Sequence, residues 1–172
     1  METKKIVSLA ERMSAKFNPK GLTPFPFSRM PGMIVETDML PYDIAGGLLF
    51  TKEGGIINIW IDRSRSEERK LYTKAHCFGH YYLHRDNIPN DGQLIVELDP
   101  DTRSYDTAVY KEKFWRTEYE ADLFASALLM PARWVRKVWK ELKGIGIGPC
   151  SKIFCVPFFE MTMRLKHLGL IE

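Results

Sequence analysis

Apolar residues recur at helical spacing close to the start of the chain. Ile6, Leu9, Ala10, Met13 and Phe17 share one face of a segment over about residues 4–17, which predicts an amphipathic helix. Pro24, Pro26, Pro31 and Pro41 then exclude long regular helix until about residue 45, because proline lacks an N–H and clashes with the preceding turn. Two apolar runs, Gly47–Phe50 and Ile56–Ile61, flank Lys52-Glu-Gly-Gly55 and predict a β-hairpin. The second run is unbroken and β-branched, as an inner strand would be. From Glu67 to about Arg85 the helical period returns, with Leu71, Tyr72, Ala75, Phe78, Gly79, Tyr82 and Leu83 as its buried side. The turn cluster Asn87–Gly92 ends it. A short strand at Leu94–Glu97 and a polar loop over Asp99–Thr107 follow. A second core helix runs from about Lys111 to Met130, stopped by Pro131. A third runs from Trp134 to Leu142, ended by Gly144, and a closing helix spans about Pro157–Leu168. Gly144-Ile-Gly-Ile-Gly148 lacks the lysine and the strand-before-helix setting of a phosphate cradle and reads as a linker. The pattern contains no internal repeat.

Two of these helices carry groups that hydrophobic packing alone does not explain. His76 and His80 stand four residues apart, so they leave one helix face about 6 Å apart along the axis, within reach of one metal ion. A pair of hydrogen-bonded core histidines is the plain alternative. The second helix shifts the balance. In Glu118-Tyr-Glu-Ala-Asp-Leu-Phe-Ala-Ser-Ala-Leu-Leu-Met130, the face bearing Ala121, Ala125, Leu128 and Leu129 also bears Glu118 and Asp122. Carboxylates on an apolar face are costly unless something positive meets them. A metal on His76 and His80 would do so, with Glu118 as third ligand and Asp122 as an outer acceptor that orients a ligand histidine. Two histidines, one glutamate and an open fourth position form the layout of a catalytic zinc site, although a two-His, one-carboxylate set also suits other divalent metals.

The His76-Cys-Phe-Gly-His80 helix followed by Glu118-x-x-Ala-Asp-x-Phe-Ala-x-x-Leu-Leu-Met-Pro131 resembles the ImmA/IrrE family of zinc metallopeptidases. Leu40–Gly47 and the Ile56–Ile61 strand resemble the family's lead-in, and Phe154–Val156 with Arg164–Ile171 its closing helix, so the resemblance covers nearly the whole chain. It implies an α+β, zincin-like (gluzincin-like) single domain, with a small antiparallel sheet packed on helices that include both metal-ligand helices. Residues 1–131 would form the peptidase core and residues 132–172 a C-terminal helical extension packed on it. It further implies one Zn2+ held by His76, His80 and Glu118. Members are bacterial or mobile-element proteins that cleave or antagonise helix-turn-helix repressors in stress response or element induction, so a repressor-like protein is the expected partner.

The chain departs from that family at Cys77, where the family carries the glutamate that acts as general base. Cysteine is two heavy atoms shorter and does not reach the same water, and residue 77 points about 100° away from His76, which disfavours metal clamping. Two readings follow: a metallopeptidase with impaired catalysis, or a pseudo-peptidase that binds and sequesters a transcriptional regulator without cutting it. Pro157, where relatives usually place a helix-capping serine, suits a helix start. His84 continues the four-residue series but lies about 12 Å along the axis from His76, too far to share its metal, and is expected to pack or to line a substrate cleft. Tyr81 is a further cleft candidate, with aromatic packing as the alternative. Glu120 is expected at the surface.

Bulk composition adds little to this. The chain has 172 residues, 45% hydrophobic and 27% charged, which suits one globular domain. No apolar run approaches a membrane span, and Met1-Glu-Thr-Lys-Lys lacks the apolar core of a secretion signal. Three cysteines, Cys77, Cys150 and Cys155, suggest no disulfide framework, so a cytoplasmic protein is expected. The net charge of +3 is uneven, with eight basic against three acidic residues from Ala132 onward. That tail invites the idea of direct DNA contact, but the long glycine-rich linker between its helices argues against a helix-turn-helix unit.

Overall fold

The structure, a computed structural model, describes residues 2–21, 23–30, 33–50, 57–85, 93–98, 112–141 and 146–172. Its elements in chain order are α1 (Thr3–Phe17), β1 (Met33–Asp38), β2 (Ile44–Phe50), β3 (Ile57–Asp62), α2 (Glu67–His84), β4 (Gln93–Leu98), α3 (Glu112–Leu129), α4 (Ala132–Glu141), α5 (Ile147–Phe154) and α6 (Phe158–His167). The fold is α+β, a sheet packed on helices with a helical C-terminal region.

The four strands are ordered β1-β3-β2-β4. β2 pairs antiparallel with β3 (Leu48 opposite Ile59) and with β4 (Leu48 opposite Ile95), as a hairpin and its neighbour should. The hairpin turn itself, the turn cluster after α2 and the polar loop before α3 lie outside the described residues. β1 pairs parallel with β3, Val35 opposite Ile59, so the sheet is mixed rather than antiparallel throughout. The reason is topological: β3 lies between two strands of opposite direction, and must run parallel to one of them. β1 itself went unpredicted, because the prolines around it mask a short strand whose pairing partner is remote. β3 is the expected inner strand, with Ile59 and Ile61 fully buried.

α2 starts where Ser66 accepts a hydrogen bond from the backbone N–H of Arg69 at 3.2 Å, with Glu67 and Glu68 in the first turn facing the positive end of the helix dipole. It lies between the sheet and α3, and α3 packs in turn on α1. Two glycines set those spacings. A Cβ on Gly46 of β2 would sit 2.6 Å from the Trp60 carbonyl oxygen and 2.7 Å from Thr73 Cγ2 of α2. A Cβ on Gly79 of α2 would lie 3.0 Å from the carbonyl oxygen of Ala121 and 3.1 Å from its Cα. Because α2 is enclosed on two sides, it is buried far beyond one stripe: Leu71, Tyr72, Thr73, Ala75, His76, Cys77, Phe78, Gly79, His80 and His84 are all buried. Tyr82, placed on the buried side by periodicity, is instead exposed, and Leu83 is half-buried.

The C-terminal part also differs from expectation. Ile147 and Gly148, read as linker, open α5, an eight-residue helix unseen in the pattern because glycines and Pro149 crowd its first turn. Cys155 ends α5 in the left-handed conformation, φ 52°. Pro157 precedes α6 in extended geometry, and Gly169 with φ 64° follows it. Arg164 of α6 is buried, donating from Nε to the Met130 carbonyl oxygen and from Nη2 to Glu11 Oε1 of α1, both at 2.9 Å. Glu11 Oε1 also accepts from the backbone N–H of Ala132 at 2.9 Å, tying α6 to α1 and to the α3–α4 junction.

Candidate metal centre

Close approach of α2 and α3 at Gly79 and Ala121 brings Glu118 onto the two histidines. His76 Nε2 and His80 Nε2 are 2.9 Å apart, with Glu118 Oε2 3.3 Å from the first and Oε1 3.2 Å from the second. All three residues are buried, and among the described residues this is the group of histidine, cysteine and acidic side chains that could hold a metal ion. Ligand atoms about 2.0–2.1 Å from a tetrahedral zinc lie roughly 3.3 Å from one another, close to the spacing observed. Glu118 shows how strongly the site favours charge. Burial alone would raise its pKa, yet the N–H groups and positive charge of His76 and His80, when a proton takes the place of a cation between them and Glu118, outweigh it and hold the carboxyl well below its ordinary 4.5.

Asp122 stands one helical turn from Glu118 and meets the other side of His76, Oδ1 to Nδ1 at 2.7 Å. An ionised carboxylate only accepts, so Nδ1 carries the proton and the lone pair of His76 is left on Nε2, facing the centre. Asp122 is about half exposed, at 54%, so its charge is partly solvated. Two imidazole nitrogens and a carboxylate therefore point at a common position, a donor set that fits a divalent cation.

The remaining predicted residues do not join the triad. Cys77 is 0% exposed and belongs to the hydrophobic core that includes Phe78, Phe124 and Leu128. Tyr81 is half-buried in an aromatic group, its ring stacked on Phe78 with centroids 6.4 Å apart. His84 is buried, with Nδ1 3.2 Å from His80 Nδ1 and Nε2 3.2 Å from Glu120 Oε2. Burial pushes the His84 pKa below its ordinary value, against the opposing pull of Glu120, so the neutral ring is favoured. Glu120 is thereby a correction: it is buried, 8% exposed, rather than at the surface. The i, i+2 offset from Glu118 gave no hint of this, since α3 is enclosed on more than one side. The signal was present in the i, i+4 series itself, because a third histidine on a buried helix needs an acceptor of its own.

The basic tail is partly consumed within the protein. Arg164 is buried against Glu11, Arg136 donates to the Leu168 carbonyl oxygen, and Lys152 pairs with Glu68. Among the described residues, no helix is long and apolar enough to cross a membrane.

Residues 32–166 match the family described as the IrrE N-terminal-like domain, Peptidase_M78. No curated protein matches the chain. The match takes in β1, the sheet, both ligand-bearing helices and most of α6, and its family implies zinc for the donor set found here. The chain thus belongs to the M78 metallopeptidase family of IrrE N-terminal-like domains.

Proposed function

We propose that this protein holds one zinc ion on His76, His80 and Glu118 and uses the peptidase scaffold to engage a helix-turn-helix repressor-like protein, with peptide hydrolysis impaired by Cys77. The observation that carries this reading is the convergence of two imidazole Nε2 atoms and a buried carboxylate in a chain of this family. Zinc at such a site supplies a Lewis acid and lowers the pKa of bound water. The chain's own residues supply the rest: Asp122 fixes the tautomer of His76, and the enclosed α2–α3 seam holds Glu118 in place. Proton removal is the missing part. A positioned carboxylate contributes roughly 10²–10⁴-fold, and the thiol of Cys77 is shorter and enclosed in the core. Binding of a regulator, which needs only the surface, outlives fast cleavage.

Zinc-loaded wild type and Cys77→Glu are incubated with a helix-turn-helix protein encoded beside this one. Wild type forms a stable complex and leaves its partner whole, while Cys77→Glu cuts it roughly 10²–10⁴ times faster and chelator stops the cutting. Cleavage by wild type at the rate of the variant would refute the assignment of Cys77. So would a partner that both forms bind and neither cuts.

A further inference from the structure

The second ligand histidine is held from outside the triad by a hydrogen-bonded chain that starts on α3. Arg116 Nε donates to Glu120 Oε1 at 3.2 Å, Glu120 Oε2 is 3.2 Å from His84 Nε2, and His84 Nδ1 is 3.2 Å from His80 Nδ1. His80, His84 and Glu120 are each buried. The far end of this chain sets its polarity. An ionised carboxylate accepts and never donates, so Glu120 takes the Nε2–H of His84. A neutral His84 protonated on Nε2 offers a lone pair at Nδ1. The contact between two Nδ1 atoms then closes in one way only, with His80 donating its Nδ1–H. The lone pair of His80 is left on Nε2, the atom that faces His76 and Glu118.

We propose that Glu120, acting through His84, selects the metal-binding tautomer of His80 and fixes its ring, a positioning pair that does for His80 what Asp122 does for His76. This rests on the reading of the triad as a metal site. It gives each ligand histidine its own carboxylate, both from α3, one direct and one relayed through a second imidazole. His84 and Glu120 act on the metal only through His80. Outer partners of this kind typically change metal affinity by about 10–100-fold.

The test uses the full chain and zinc competed against a chromophoric chelator. Glu120→Leu, which removes the acceptor, and His84→Phe are expected to bind zinc roughly 10–100-fold more weakly than wild type. His84→Gln, whose amide oxygen can accept from His80, recovers most of the affinity. Long-range 1H–15N spectra of the metal-free protein give an independent readout. His80 carries its proton on Nδ1 in wild type and shifts toward Nε2 in His84→Phe and Glu120→Leu, a change that loss of packing would not produce. Glu120→Leu, of similar size but with no acceptor, keeps the test readable if His84→Phe unfolds. Wild-type affinity in both variants, or an unmoved His80 tautomer, overturns the proposal. His80→Ala separates the two failures. Zinc lost in that control but unchanged in His84→Phe and Glu120→Leu removes the positioning pair alone. Zinc uptake equal in wild type and His80→Ala, or absent from wild type, removes the metal site and the pair with it.

Discussion

Buried charge at two places in this protein is held on opposite terms. At the C-terminal end, the Arg164 guanidinium meets Glu11 and the Met130 carbonyl oxygen, and Glu11 also accepts from the Ala132 N–H. Donors there face acceptors, and the cluster is complete as it stands. At the α2–α3 seam, Asp122 and Glu120 both act on the Nδ1 sides of histidines, the second through His84, and turn the two Nε2 lone pairs toward the Glu118 carboxylate. Acceptors there face acceptors, which is unfavourable unless a cation or a proton lies between them. Buried polar groups that match one another read as structure, whereas buried groups that share an unmet need for positive charge read as a site.

That contrast can be broken experimentally, and the largest effect is expected at the triad. At zinc about a thousandfold above its dissociation constant, unfolding free energy should rise by about 4 kcal/mol through mass action, and His80→Ala should abolish that gain. Denaturant melts with and without zinc check this. Next comes Glu11→Ala, which strands a buried guanidinium. It should cost about 3 kcal/mol, the low end for a broken buried pair because Glu11 is a third exposed, and leave zinc affinity unchanged. A loss of zinc binding in that variant would merge the two regions into one cooperative unit. Gly79→Val should destabilise by about 2 kcal/mol and weaken zinc together, since its side chain meets Ala121 backbone at the seam that presents Glu118. Asp122→Asn should weaken zinc about tenfold, a modest loss because the carboxylate is half solvated. The smallest effect is a pH dependence of the metal-free protein. The Glu118 pKa is lower folded than unfolded, so its stabilisation is complete above about pH 4.5 and declines as pH falls through the depressed value. Urea melts of metal-free protein from pH 6 to 3 should show this acid-side slope, and Glu118→Gln should flatten it.

Much of the frame is readable along the chain because hydrophobic period reports local geometry. α1, α2, α3, α4, α6 and the β2–β3 pairing follow from it within a few residues. β1 and α5 do not. The first is a short strand whose only partner among the described strands is distant β3, and the second carries a proline and glycines that mimic a linker. For the site, the four-residue spacing of His76, His80 and His84 and the joint apolar face of Glu118 and Asp122 were visible. The burial of Glu120 was not, nor the enclosure of Cys77, because both depend on what lies against the helix rather than on the helix.

The amino-acid sequence by itself determined which side chains share a turn: His76 with His80, Glu118 with Asp122, and a cysteine where the general base of this family stands. Periodicity suffices for that, since backbone geometry alone sets the direction of a side chain relative to its own helix. Only the tertiary structure decided which of those faces meet and which are dry. With Gly79 against Ala121, the α2–α3 approach places Glu118 between two imidazoles and brings Glu120 in against His84. Those are contacts between residues distant in the chain, and no local spacing encodes the packing that creates them.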